Sequence, residues 1–253
     1  MQQRTLGEWL EAEPFSLAMS SGFFSFFAHT GMLKALESSG LAPKSLSGSS
    51  AGALVAGLWG AGLSANKLGD ELAALKRSDF WDPKPGFGLL GGRLFRSKLD
   101  ELLPVPSFAE CRAPVAISVY DLRVRKTLVL DEGDLASAIL ASCALPVLFH
   151  PVKREGCLLS DGGIADRPGL DGMSSNERIF YHHIASRSPW RRAGSKALQI
   201  PSRESMVSLQ ITELPRANPF HLDRGVLAMA AAEEATKRAL GQPIVDKLVS
   251  VEG

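Results

Sequence analysis

The motif Gly48-x-Ser50-x-Gly52 constrains this sequence more than any other feature. A short strand is predicted at residues 44–47, and residues 53–62 are small and apolar, as in a buried helix. A serine between glycines at a strand-to-helix junction is the pattern of a nucleophile elbow, and the helix N-terminus adds partial positive charge beside it. We therefore predict that Ser50 is a nucleophile. The alternative is a glycine-rich turn without chemistry.

Strand-like and helix-like segments alternate along the chain, which indicates an α/β fold with a mostly parallel central sheet covered on both faces. The first 14 residues are polar, and we expect them to be peripheral. Strands are predicted at residues 15–19, 44–47, 115–120, 126–131 and 157–160, the third and fourth as an antiparallel pair. Helices are predicted at about 31–37, 53–62, 68–75, 135–143 and 222–240.

Length and charge limit the function classes. The 253 residues suit one large α/β domain, so we predict a single domain over residues 1–253. Hydrophobic residues make up 45% of the chain, enough for a sizeable core. The net charge of +1 provides no field that would attract nucleic acid. Any membrane contact must therefore come from a local patch.

Cysteine usage and the N-terminus suggest a location. The three cysteines are an odd number without a close pair, which favours a reducing compartment over a disulfide framework or a zinc site. The N-terminal residues lack the apolar core of a signal peptide, and no apolar stretch reaches about 18 residues. We expect a cytoplasmic protein that contacts membranes at most peripherally.

A serine nucleophile needs a base, and Asp161 is the best candidate. It follows the predicted strand at residues 157–160, and Gly162 and Gly163 after it leave room for a partner's backbone. A strand end can deliver this carboxylate to Ser50. An Asp-Gly pair is equally a common turn signal, so the residues alone leave both interpretations open.

Four blocks, in order, resemble the patatin-like phospholipase family, and together they span about residues 15–168. They are residues 17–22 (LAMSSG) with 28–36 (AHTGMLKAL), 48–53 (GSSAGA), 141–146 (ASCALP) with 149–152 (FHPV), and 160–163 (SDGG). Four ordered blocks are far more specific than one GxSxG motif.

The resemblance implies a three-layer α/β/α patatin-like fold and a Ser–Asp dyad without metal or cofactor. Carried over by motif, Ser50 attacks the carbonyl of a lipid or other acyl ester, and Asp161 takes its proton. Water then hydrolyses the acyl-enzyme, with Asp161 again as the base. Gly48, Gly52, Gly162 and Gly163 support the two turns. The acyl chain, the head group and the oligomeric state remain open.

One block departs from the family pattern. The family's oxyanion loop is glycine-rich and includes a basic residue, whereas the matching positions here are Ser21, Gly22, Phe23, Phe24 and Ser25, the last at the basic position. The resemblance assigns the backbone N–H groups of the first four to the oxyanion hole. Loss of one aligned donor reduces the rate by about 10²–10³-fold. A catalytically weak lipid-binding or regulatory protein on the same scaffold is therefore an alternative.

Several residues have a structural and a functional interpretation. We expect Phe23, Phe24, Phe26 and Phe27 to be core, although they could wall an acyl groove. Core positions are also expected for Trp59 and Trp81.

The histidines and two loops leave further alternatives. His29 is predicted to be a structural hydrogen-bonding residue, and His182 or His183 would complete a Ser–His–Asp triad in the alternative mechanism. The basic residues 187–203 are expected to form a solvated loop, the alternative being contact with anionic lipid head groups. Residues 78–92 are predicted to be a mobile cover.

Overall fold

The computed structural model describes residues 3–185 and 198–253. Its helices are α1 (Leu6–Ala12), α2 (Phe26–Ser38), α3 (Ala51–Gly60), α4 (Ala65–Ala74), α5 (Arg93–Leu102), α6 (Leu135–Ser142) and α7 (Asp223–Leu240). Its strands are β1 (Ser16–Met19), β2 (Ser45–Ser49), β3 (Gly88–Leu90), β4 (Val115–Asp121), β5 (Lys126–Leu130), β6 (Val147–Phe149), β7 (Val152–Arg154), β8 (Cys157–Asp161), β9 (Ile179–Ile184), β10 (Met206–Thr212) and β11 (Leu248–Glu252).

In the part of the chain that the structure describes, nine strands form one central sheet in the order β11-β10-β9-β1-β2-β4-β8-β7, with β5 also paired to β4. The strands from β11 to β4 run parallel, and β5, β8 and β7 add antiparallel pairs at one end. The predicted α/β fold with a mostly parallel sheet is confirmed, and so is the antiparallel pair β4–β5. Strands β3 and β6 form a separate two-stranded sheet.

The two faces of the central sheet are covered differently. Leu17 and Met19 of β1 point into the larger core cluster, to which all seven described helices contribute buried residues. Ala18, between them, points to the opposite face, as the period of two in a strand requires. On this second face, Ala18 packs in a smaller buried cluster that includes Leu170 and Met173.

The N-terminal segment is not peripheral as expected, because it contains α1. Thr5 and Glu8 form a capping box at its start. Leu6 and Leu10, four residues apart, are buried in the larger cluster. The Thr-x-x-Glu pattern and the leucine spacing are both present in the sequence and together indicate this helix.

Other boundaries also differ from expectation. Helix α2 begins at Phe26 rather than near residue 31, and α5, β3, β6, β7, β10 and β11 were not predicted. The predicted cover at residues 78–92 is held by backbone and side-chain hydrogen bonds. The Asp82 carboxylate accepts from the N–H groups of Gly92 and Arg93 at the start of α5.

The sheet register brings distant residues to one edge. Ser49, the last residue of β2, pairs with Ser118 of β4, and the next β4 residue, Val119, pairs with Asp161 at the end of β8. Ser50 directly follows β2, so the register alone places Ser50 and Asp161 at the same edge.

No helix in residues 3–185 or 198–253 has the length and apolarity needed to cross a membrane.

Candidate active site

Ser50 occupies a sharp turn between β2 and α3. Its φ of 53° and ψ of −115° lie outside the usual regions for a non-glycine residue. The turn is fixed from behind, because the Ser50 N–H donates a 2.8 Å hydrogen bond to Ser142 Oγ. The Ser142 hydroxyl donates in turn to the carbonyl of Ser118, at 2.7 Å.

The two glycines of the elbow are required by close backbone contacts. A Cβ on Gly48 would lie 2.4 Å from the carbonyl carbon of Gly52. A Cβ on Gly52 would lie 2.1 Å from the carbonyl oxygen of Met19, at the end of β1. Both distances are far below van der Waals contact, so the motif needs glycine at both positions.

Ser50 and Asp161 are in direct contact. The Ser50 hydroxyl donates a 2.6 Å hydrogen bond to Asp161 Oδ2. The other carboxylate oxygen, Oδ1, accepts from the N–H of Gly163 at 2.8 Å. Asp161 is buried, and these two contacts orient both of its carboxylate oxygens. The carboxylate reaches the hydroxyl without an imidazole between them.

The glycines after Asp161 allow the strand end to pack tightly. A Cβ on Gly162 would lie 2.1 Å from the carbonyl oxygen of Ser118, and one on Gly163 would lie 2.3 Å from Ser21 Oγ. The turn that carries the carboxylate is therefore wedged between β4 and the loop after β1. This loop is the predicted oxyanion loop.

The predicted oxyanion loop contains backbone N–H groups that could serve as donors. Among the described residues, the N–H groups of Gly22 and Phe24 have no hydrogen-bond partner. Phe24 has a φ of 56°, a conformation that glycine adopts at little cost and phenylalanine rarely adopts. The Ser21 N–H instead donates to the carbonyl of Arg167 at 2.7 Å, which removes Ser21 from the candidate donors.

Two site residues were not singled out from the sequence, although they belong to the third motif block. The Ser142 hydroxyl accepts the hydrogen bond from the Ser50 N–H. The Cys143 thiol donates to the carbonyl of Ser50 at 3.2 Å. Burial, and then the nearby Asp161, raise the pKa of Cys143 well above its usual value, so this thiol stays protonated.

The histidines form a separate buried network. His29 Nε2 lies 2.8 Å from the carbonyl of Ser20, and its Nδ1 lies 2.9 Å from His182 Nδ1. Because Ser20 O can only accept, His29 carries its proton on Nε2, and His182 then donates from Nδ1. This is the structural role predicted for His29. His183 Nδ1 contacts the Tyr181 hydroxyl at 3.0 Å.

This network does not supply the triad base of the alternative mechanism. Burial lowers the pKa of His29 and of His183 to about 4, and that of His182 well below its usual value. The contact between Ser50 and Asp161 is direct, whereas His182 Nδ1 contacts His29 and His183 Nδ1 contacts the Tyr181 hydroxyl. The triad alternative therefore finds no support in the geometry.

An almost entirely apolar pocket opens next to Ser50 and Asp161. It is lined by residues from the oxyanion loop, from α3, α4 and α5, and from β3 and β6, including Phe23, Phe24, Phe26, Leu54, Leu72, Trp81, Leu90, Leu99, Leu102 and Phe149. Three of the four phenylalanines after Gly22 thus wall this pocket, and Phe27 is fully buried core. Trp59 is core as predicted, whereas Trp81 faces the pocket.

The basic segment is only partly described, because Arg187, Arg191, Arg192 and Lys196 lie outside the described residues. Arg203 is half-buried. Its guanidinium donates to the carbonyls of Met173 and Leu170, each at 2.9 Å. In residues 3–185 and 198–253, no group of three or more potential ligands could hold a metal ion.

The fold and the site define a class, namely α/β proteins with a serine–aspartate pair at a strand-to-helix elbow. The family model described as patatin-like phospholipase matches residues 17–173, which is more than half of the chain. The chain belongs to this family.

Curated relatives match the same region. An uncharacterized NTE family protein of Mycobacterium tuberculosis is 31% identical over 159 residues, covering 60% of this chain and 43% of the relative. Lysophospholipase NTE1 of Scheffersomyces stipitis is 25% identical over 175 residues, covering 66% of this chain and 11% of that protein. The chain therefore spans less than half the length of these relatives.

A solved structure shares the fold. VipD from Legionella pneumophila matches with a TM-score of 0.56 and 15% sequence identity, covering 90% of this chain and 67% of that chain. At this identity the likeness shows the fold alone.

Proposed function

We propose that this protein is a lipid acyl hydrolase, with Ser50 as the nucleophile and Asp161 as the general base. The observation that carries the proposal is the 2.6 Å hydrogen bond from Ser50 Oγ to Asp161 Oδ2 beside an apolar pocket. Membership of the patatin-like phospholipase family and the lysophospholipase name of a relative support lipids as the substrate class.

The geometry supports a two-step reaction. Ser50 Oγ attacks the ester carbonyl while Asp161 Oδ2 accepts its proton. The developing oxyanion is held by the N–H groups of Gly22 and Phe24, with the positive end of α3 nearby. The leaving alcohol takes the proton from Asp161, which leaves an acyl-enzyme on Ser50.

Hydrolysis of the acyl-enzyme reverses these roles. Asp161 takes a proton from water, the water oxygen attacks the acyl carbon, and Ser50 is released with its proton restored. The acyl chain lies against the apolar wall provided by residues such as Leu54 and Leu99. This wall excludes water from the chain and strengthens the electrostatic contacts at the reacting carbonyl.

A serine-reactive fluorophosphonate probe tests the proposal directly. We expect rapid, stoichiometric labelling on Ser50. Ser50→Ala should abolish both labelling and ester hydrolysis, and Asp161→Asn should reduce hydrolysis by at least about 10³-fold. The matched controls are Ser97→Ala and Asp131→Asn, which alter exposed residues and should retain activity. Full activity of the Asp161 variant in a folded protein would disprove the dyad.

A catalytically weak lipid-binding protein is the second candidate. The observation in its favour is the glycine-poor oxyanion loop, in which Phe24 must hold a φ of 56°. A folded protein that binds lipid but is not labelled by the probe would support this candidate. Labelling at Ser50 together with turnover would support the hydrolase.

A further inference from the structure

Exposed apolar side chains are concentrated around the mouth of the pocket. In the described residues, eight large hydrophobic side chains are exposed, and four of them lie in three short segments that also line the pocket. These four form what we call the apolar rim: Phe87, Leu89, Val147 and Phe220. Phe87 is 91% exposed and Val147 is 83% exposed, so neither is part of the core.

The rim is continuous with the pocket wall. Leu90, next to Leu89 in β3, lines the pocket, as does Leu148, next to Val147 in β6. Strands β3 and β6 pair with each other, so their exposed residues share one small sheet. On the other side, the ring of Phe220 lies 5.9 Å from that of Trp81, which also lines the pocket.

Val147 combines high exposure with an unusual backbone conformation. Its φ of 71° lies in the left-handed region, where a β-branched residue is a genuine outlier. Glycine would adopt this conformation without strain, and such strain persists mainly at functional sites. A strained, exposed valine at the mouth of a pocket suggests that its side chain has a function outside the folded core.

Basic side chains flank the rim. The Arg77 guanidinium lies 5.1 Å from the ring centroid of Phe220 and 5.5 Å from that of Trp81. Neither Arg77 nor Lys84 forms an ion pair within the described residues, and both are exposed. Apolar side chains with unpaired cations beside them are the combination that favours an anionic lipid–water interface.

We propose that the apolar rim docks this protein onto a lipid surface bearing anionic head groups, with the pocket mouth facing the lipid. The functional role of this docking rests on the proposed hydrolase activity, because a docked rim would let an acyl chain pass from the lipid to the pocket beside Ser50. The binding itself does not depend on catalysis. Large exposed apolar patches commonly mark such contacts.

Vesicle co-sedimentation of the Ser50→Ala protein tests the rim without hydrolysis. The probes are vesicles of phosphatidylcholine alone and of phosphatidylcholine with phosphatidylglycerol. We expect stronger partitioning onto the anionic vesicles. Adding Phe87→Ser and Phe220→Ser should weaken partitioning by about tenfold or more, since two large apolar side chains no longer enter the interface. Lys84→Gln should weaken it by about fivefold on anionic vesicles only.

Val147→Gly separates docking from folding. Glycine suits a φ of 71°, so this variant should be at least as stable as the parent, yet it should bind vesicles about threefold to tenfold more weakly. The matched control is Val124→Ser, which removes a side chain of 61% exposure from the turn between β4 and β5. It should bind as the parent does.

The proposal is overturned if the rim variants bind like the parent, or if Val124→Ser loses as much binding as they do. It is also overturned if the parent is a dimer in sedimentation velocity and Phe87→Ser makes it a monomer, because the rim would then join two copies. Fluorophosphonate labelling of Ser50 without lipid tests the proposed hydrolase separately, so either proposal can fail alone.

Discussion

The Ser50 hydroxyl donates a 2.6 Å hydrogen bond to Oδ2 of Asp161, although 111 positions separate the two residues in the chain. The register of three strands produces this contact. β2 ends one residue before Ser50, β4 pairs with β2, and β8 ends with Asp161 beside β4. A rigid sheet therefore positions both groups, and little conformational freedom is lost when a substrate binds.

Leu102→Trp should shorten the acyl chain that the enzyme accepts. Leu102 lies at the end of α5 and lines the pocket, so an indole there would fill space that a long chain needs. We expect kcat/KM to fall by about tenfold or more for long-chain esters and by less than about threefold for acetate esters. Glu101→Trp, at an exposed neighbouring position, is the control. Equal losses for all chain lengths would contradict the assignment of the pocket.

Ser142→Ala should reduce turnover without unfolding the protein. The change removes the acceptor of the Ser50 N–H and the donor to Ser118 O, so the elbow loses its support from behind. We expect kcat to fall by about 10- to 100-fold with KM little changed, because the nucleophile is misplaced and the pocket is intact. Ser137→Ala on the same helix is the control. An unchanged kcat would show that the elbow holds its shape without this bond.

Gly52→Ala should destabilise the fold strongly. The added Cβ would lie 2.1 Å from Met19 O, and neither backbone segment can move without disturbing the central sheet. We expect the free energy of unfolding, measured with urea, to fall by about 2–3 kcal/mol or more. Gly241→Ala is the control, because the nearest atom to its added Cβ lies at 3.7 Å. Similar stabilities for the two variants would argue against the close contact.

Acid should destabilise the protein through its buried histidines. Burial lowers the pKa of His29 from 6.5 to about 4, so below pH 6.5 the unfolded chain binds more protons than the folded one. The free energy of unfolding therefore falls as the pH drops from about 6.5 to about 4. For His29 alone the loss at pH 5 is about 2 kcal/mol.

The measurement is urea unfolding at pH 7.5 and at pH 5. His29→Gln keeps a donor for Ser20 O and an acceptor for His182, and it should reduce the difference in stability between the two pH values. His221→Gln removes an exposed histidine and should retain the parent's difference. If His29→Gln retains the full difference, this imidazole is not the source of the acid sensitivity.

The sequence did not distinguish core from pocket residues in the aromatic run after Gly22. Phe27 is core as predicted, whereas Phe24 and Phe26 face the pocket. All three are phenylalanines, so hydrophobicity cannot distinguish the core position from the two pocket positions. Which side chain meets the core depends on where α2 begins, and its start at Phe26 was not evident from the residue pattern.

The sequence by itself determined the features that depend on local chain geometry. The elbow around Ser50 requires glycines because two backbone segments meet there, and alternating strands and helices imply a parallel sheet. The tertiary structure alone decided which distant groups meet. Strand register joined Ser50 to Asp161, assigned the Ser21 N–H to Arg167 O, and left Val147 exposed at the mouth of the pocket. These contacts depend on packing between segments far apart in the chain, which no local pattern of residues encodes.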